Sequence, residues 1–143
     1  SLLFFFFFLK KQSLLFHHQT FVYNLYYNTF YRFCHDLLED TDTSFEEIAV
    51  ISGSEECAEL VLELTNNKHT IEEMGKTDYM TEKLCKISKD ALLIKLADMV
   101  YNSYDQPKEN AMKRMYQNVC EMLLKRKDIP QSCRELAQLV ILA

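Results

Sequence analysis

The sequence predicts an all-α fold, a helical bundle, and three observations carry that expectation. Glycine and proline are scarce: Gly53, Gly75, Pro107 and Pro130 are all that occur in 143 residues, too few for sandwiches or barrels, which need frequent turns. No segment alternates apolar and polar residues with period two. From Cys34 onward, apolar residues recur at helical spacing between capping residues.

The elements follow in order. In Thr43-Ser44-Phe45-Glu46-Glu47, Ser44 and Glu47 have capping-box spacing, so a helix is predicted to start there and stop near Gly53. Ser54 is placed to cap a second helix whose apolar stripe is Ala58, Val61, Leu62 and Leu64. Thr70-Ile71-Glu72-Glu73 reads as the next start, with helix to Ile87 interrupted at Gly75. Lys89 to Tyr104 carries the broad stripe Leu92, Leu93, Leu96, Met99 and Val100 of a central helix. A turn at Gln106-Pro107 precedes a helix striped by Met112, Met115, Val119, Met122 and Leu123. Pro130 suits the first turn of a last helix running to Leu142.

The length is that of one domain with one substantial core. An apolar fraction of 48% and a charged fraction of 26% are ordinary for a soluble globular protein. The formal net charge of −5 and pI near 5.4 exclude a broad basic face for nucleic acid, though not a local basic pocket for a small phosphorylated ligand. Five scattered cysteines (Cys34, Cys57, Cys85, Cys120, Cys133) without a CxxC pair argue against a disulfide framework or a zinc finger. They fit reduced, mostly buried thiols in the cytoplasm.

Residues 1–33 differ from the rest: they contain the run Phe4 to Phe8 and no acidic residue. The apolar run Leu2 to Leu9 is too short to span a bilayer. It also lacks the basic start and small-residue cleavage site of a signal peptide. With Ser at position 1, the chain reads as a fragment. Three readings of this segment stay open: a buried aromatic helix, a membrane-proximal anchor, and sequence foreign to the domain's core. The domain itself is expected over residues 34–143.

Two clusters could carry chemistry. In His35-Asp36-Leu37-Leu38-Glu39-Asp40, a helical backbone would put His35 with Glu39 and Asp36 with Asp40, each pair at i, i+4. Imidazole beside carboxylate suits a divalent cation of intermediate hardness, manganese, iron or zinc. The alternative is a solvated acidic helix end. In Ile94-Lys95-Leu96-Ala97-Asp98-Met99-Val100-Tyr101-Asn102, Asp98 interrupts an apolar helix. It is either a buried carboxylate compensated by a cation or an exposed acid on the helix's polar edge. Lys89 and Lys95 are expected to be solvated.

The ordered blocks HDLLEDTDTSFEEI, LVLELTNNK, MGKTDYMTEKL and ALLIKLADMVYN resemble the HD superfamily of metal-dependent phosphohydrolases, and more narrowly the RelA/SpoT-type hydrolase domain. The resemblance covers roughly residues 34–105. It implies an HD-domain helical bundle that removes the 3′-pyrophosphate of guanosine tetra- or pentaphosphate, or of a related nucleotide, with water activated at a manganese ion. It casts His35, Asp36 and Asp98 as metal ligands, Glu39 and Asp40 as the carboxylates that position and activate the water, and Asn102 as a nucleotide contact. The partner it implies is a small nucleotide, with neither nucleic acid nor membrane.

The sequence also departs from that family. An AHxGQxRK helix, which supplies another metal-ligating histidine and a basic pair, has no counterpart before His35. Nor do the YxxHP turn and the small-residue helix that follow it. His17 and His18 are the only upstream histidines, closer to His35 than the family's spacing and in another context. The departure predicts weakened metal affinity and impaired hydrolysis. A catalytically inactive HD-like module that binds nucleotide or a partner is the alternative.

Overall fold

A computed structural model describes residues 41–53, 55–104 and 106–143. Among them are seven helices and no strand: α1 Phe45–Ser52, α2 Glu55–Leu64, α3 Lys68–Met74, α4 Lys76–Lys86, α5 Lys89–Tyr104, α6 Ala111–Leu124 and α7 Gln131–Leu142. The all-α expectation is borne out. The expected boundary near residue 33, the Phe-rich segment and the Ser54 cap lie outside the described residues. None of the described helices is long and apolar enough to cross a membrane. The chain divides into two compact units, residues 1–65 and 66–143.

In the first unit, α1 begins as its sequence dictates. The Ser44 side chain accepts from the Glu47 backbone N–H at 3.2 Å, and Glu47 accepts from the Ser44 N–H at 2.7 Å. Two otherwise orphaned donors are thereby satisfied. Gly53 ends the helix at φ 69°, its N–H reaching back to the carbonyls of Ala49 and Val50. α1 packs against α2, and Ile48, Ala58, Val61 and Leu64 are buried. Leu62, expected in the stripe, is 54% exposed. It follows Val61 directly, and one residue on an α-helix turns the side chain by about 100°.

The second unit is built on α5. Leu92, Leu96 and Met99 join Met80 and Leu84 of α4, Tyr116, Val119, Cys120 and Leu123 of α6, and Cys133, Ala137 and Val140 of α7 in one apolar core. α7 packs along both α5 and α6, and α4 packs on α6. Leu93, Val100, Met112 and Met115 pack at the margin of this core. Met122 is instead 51% exposed, displaced from Leu123 by the same helical step that exposes Leu62.

Two starts differ from expectation. α3 begins at Lys68 rather than Thr70, because Asn67 is the cap and its side chain accepts from the Thr70 N–H at 3.1 Å. Residues 66 and 67 are also tied to α4. The Asn67 N–H donates to the Tyr79 hydroxyl at 2.8 Å, and Lys83 Nζ donates to Asn66 Oδ1 at 3.3 Å. Pro130 is the cap of α7 and not a residue of its first turn. The irregularity expected at Gly75 is a full break: at φ 86° and ψ 150° this residue closes α3 and opens α4.

The cysteine expectation holds for Cys120 and Cys133, which are free and buried. Cys85 is free but exposed, because it falls on the outer side of the Met80–Leu84 face. Burial pushes the Cys120 thiol from its ordinary 9.0 up to about 12.

Gly75→Ala is expected to lower stability by about 1–3 kcal/mol, the range for a strained backbone conformation. Space around it is open, with no atom within 4 Å of an added Cβ, so the loss should reflect backbone strain alone. Denaturant unfolding checks it. Because the folded state holds the Cys120 proton more tightly than the unfolded chain, its contribution is complete below pH 9 and is lost as pH rises towards about 12. Cys120→Val should therefore flatten the alkaline fall in stability relative to the parent, by at most ~4 kcal/mol, as read from unfolding midpoints across that range.

Candidate functional site

Of the residues singled out for chemistry, Asp98 and Asn102 fall among the described residues, both on α5. His35, Asp36, Glu39 and Asp40 lie outside them. Among the described residues no three His, Cys, Asp or Glu side chains cluster as a cation site.

α5 is buried on two flanks. One carries Leu92, Leu96 and Met99 into the core shared with α4, α6 and α7. The other carries Ala91, Ile94 and Asp98, spaced i, i+3, i+7, which are buried as well but are not members of that core. Asp98 is therefore not an acid on a polar edge: it is 6% exposed. Its position beside Met99 turns it off the α6–α7 face, while its neighbours in space along the helix, Lys95 and Asn102, sit three residues before and four after it.

An ionised carboxylate at that depth costs several kcal/mol unless a cation compensates it. Lys95 supplies one. Its Nζ lies 3.4 Å from Asp98 Oδ2, and its side chain is only 12% exposed. The expected solvated role of Lys95 is thus corrected. The ammonium faces a carboxylate of opposite charge one helical turn away. At 3.4 Å the pair is a loose hydrogen bond, held by charge more than by alignment. Lys89, by contrast, is exposed as expected. Asn102 is half-buried one turn beyond Asp98.

The end of α5 is organised by residues that the sequence reading missed. Lys113 of α6 is 2% exposed, and its Nζ donates to the Gln106 carbonyl at 3.0 Å. Asn110 caps α6 by accepting from the Lys113 N–H at 3.1 Å, and its Nδ2 donates to Gln106 Oε1 at 3.2 Å. The Gln106 N–H in turn donates to the Ser103 carbonyl at 3.3 Å. A buried ammonium thus sits where the carbonyl end of α5 carries partial negative charge, and it fixes the turn that follows Asn102. Ser103 is fully buried and its hydroxyl has no hydrogen-bond partner. The signal for it was present: Ser103 continues the Leu92–Leu96–Met99 spacing, a polar residue on an apolar line.

The predicted donor set of one imidazole and two carboxylates matches a divalent cation of intermediate hardness. Asp98 fits that role to the extent that it is an acid held inside an apolar helix.

Lys95→Met is expected to cost about 3 kcal/mol, the order for removing one partner of a buried pair. Asp98→Asn should cost less, because the amide is neutral and of the same shape. Chemical denaturation of the two variants checks the ranking.

Comparison with known proteins gives relatives over half of the chain. A 71-residue stretch, 50% of this chain, is 41% identical to the guanosine-3′,5′-bis(diphosphate) 3′-pyrophosphohydrolase MESH1 of Drosophila melanogaster. The proteins of the same name from Xenopus tropicalis and Homo sapiens are 39% and 37% identical over the same length. In each case the match spans 38% of the relative. No protein-family model matches the chain, and no solved structure gives a significant match. Half of this chain is thus similar to curated guanosine-3′,5′-bis(diphosphate) 3′-pyrophosphohydrolases, in agreement with the HD-type resemblance of its motifs.

Proposed function

We propose that this chain is a metal-dependent nucleotide phosphohydrolase domain that removes the 3′-pyrophosphate of guanosine tetra- or pentaphosphate or a related nucleotide, with reduced efficiency. The observation that carries the reading is Asp98, a carboxylate buried in an apolar helix at the place where the resemblance puts a metal ligand. The similarity of half the chain to proteins named as 3′-pyrophosphohydrolases supports it.

His35, Asp36 and Asp98 would hold the cation, with manganese the expected ion. Bound there, a divalent cation would polarise a phosphoryl oxygen and offset the charge that develops on it. Glu39 and Asp40 would orient the attacking water and accept its proton. Asn102, on the same face of α5 as Asp98, would hydrogen-bond the nucleotide and keep the scissile phosphate in register. The Lys113 clamp at Gln106 would fix the end of the helix that bears Asn102. Lys95 Nζ lies 3.4 Å from Asp98 Oδ2. Binding a cation would require the ammonium to move aside or to turn towards the substrate's phosphates.

A second reading is favoured by that same pair and by the missing upstream block. With Lys95 compensating Asp98 and no AHxGQxRK counterpart in the sequence, the domain would be an HD-like module that binds nucleotide without turning it over.

The purified chain with manganese and guanosine tetraphosphate is expected to release pyrophosphate, and Asp98→Asn should lower that rate by about 100-fold or more, the upper range for weakening a metal site. Retention of the helical circular dichroism spectrum would show that the variant folds. Nucleotide binding by calorimetry without pyrophosphate release selects the second reading. Absence of both binding and release overturns both.

A further inference from the structure

Lys95 and Lys113 are both cations enclosed by the fold, yet they are held differently. Lys113 Nζ donates to the Gln106 carbonyl at 3.0 Å, an ordinary length for such a bond, and that bond secures the turn after α5. Lys95 Nζ lies 3.4 Å from Asp98 Oδ2, outside the usual range of about 2.7–3.2 Å and longer still against the roughly 2.8 Å of a charge-assisted pair. Among the described residues, Asp98 Oδ2 is the acceptor of this ammonium, which has further N–H donors to place. With the Lys95 side chain 12% exposed, little water reaches them. The Lys95 ammonium therefore keeps both charge and donors for another acceptor.

Its position indicates which acceptor would use them. Asp98 is the carboxylate that the hydrolase reading gives to a divalent cation. Asn102, the expected nucleotide contact, lies one turn beyond it on α5, and Lys95 one turn before it. A carboxylate that coordinates a divalent cation cannot also hold the ammonium, because the two cations repel at such short range. The ammonium must then pair with a different anion at the same place. A phosphoryl oxygen suits it, since lysine binds phosphate as a compact point charge and needs no planar partner. A neutral acceptor would leave a charge taken out of water only partly compensated.

We propose that Lys95 is a phosphate-binding residue of the Asp98 site. Its ammonium lies on Asp98 in this structure and transfers to a phosphoryl oxygen of the substrate when Asp98 coordinates a cation. The assignment rests on the hydrolase reading for the nature of the anion, and it gives a role to a residue for which the family resemblance implies none. It also makes Asp98 and the phosphate competitors for one ammonium. Substituting Asp98 should therefore have two opposite effects, loss of turnover and a gain in metal-free anion binding.

Binding of inorganic pyrophosphate to the full chain would be measured by calorimetry in EDTA, so that no cation contributes. Asp98→Asn is expected to tighten it about tenfold over the parent, the low end for a hydrogen bond to a charged group. Asp98→Asn combined with Lys95→Met should lose that gain. Asp98→Asn combined with Lys89→Gln, at an exposed lysine, should keep it. Circular dichroism would establish that each variant folds, and Asp98→Ala, with the same expectation, replaces Asp98→Asn should the latter unfold. A Lys95 that serves packing alone predicts no gain. No gain on substituting Asp98, a gain that survives Lys95→Met, or a gain lost with Lys89→Gln would overturn the proposal. Pyrophosphate release from guanosine tetraphosphate by the parent with manganese decides the hydrolase reading separately, so the two failures are distinguishable.

Discussion

A helix buried along two flanks must fill one with apolar side chains and compensate any charge placed on the other, and α5 does both. Leu92, Leu96 and Met99 supply the anchor that α4, α6 and α7 pack around. Asp98 sits one helical step from Met99, on the other buried flank, where its carboxylate is 6% exposed. The Lys95 ammonium at 3.4 Å contributes a compensating charge there. Replacing both by hydrophobic residues would be tolerated or even stabilising by the usual balance of desolvation against attraction. The presence of the charges therefore points to use rather than to stability.

The same logic extends along the helix. Lys113 is another buried cation, set against the carbonyl end of α5 through Gln106, while Asn110 both caps α6 and holds the Gln106 side chain. These polar groups fix the geometry of the turn after Asn102, where a nucleotide contact would need it. Ser103, buried without a partner for its hydroxyl, is a local cost in the same region, of the order of 1–3 kcal/mol for an unsatisfied buried group.

The relation to known hydrolases is firm over a limited span. Half of the chain matches 3′-pyrophosphohydrolases at 37–41% identity, and the match spans 38% of those relatives. The metal-binding block that would precede His35 in the RelA/SpoT-type family has no counterpart in the sequence, while the helix that carries Asp98 is well formed and well packed. Metal affinity depends on the full ligand set and its hydrogen-bonded supports.

Much of the fold was legible because it is set by local chemistry. The capping box at Ser44 and Glu47 follows from side chains bonding to their own backbone within a turn, and the stop at Gly53 and the interruption at Gly75 follow from the positive φ that glycine adopts without strain. The apolar line Leu92–Leu96–Met99 was legible for the same reason, since helical periodicity is a property of the chain itself. The stripe margins were not. Leu62 and Met122 lie outside the packed faces, and only the angle at which a neighbouring helix approaches decides where a face ends. The candidate site divides in the same way. The sequence by itself determined that Asp98 interrupts an apolar helix and resembles a metal ligand. Only the tertiary structure decided that this carboxylate is buried, that Lys95 is buried with it, and that Lys113 clamps the turn beyond Asn102, because burial and long-range pairing depend on which surfaces meet, and a one-dimensional pattern does not specify that.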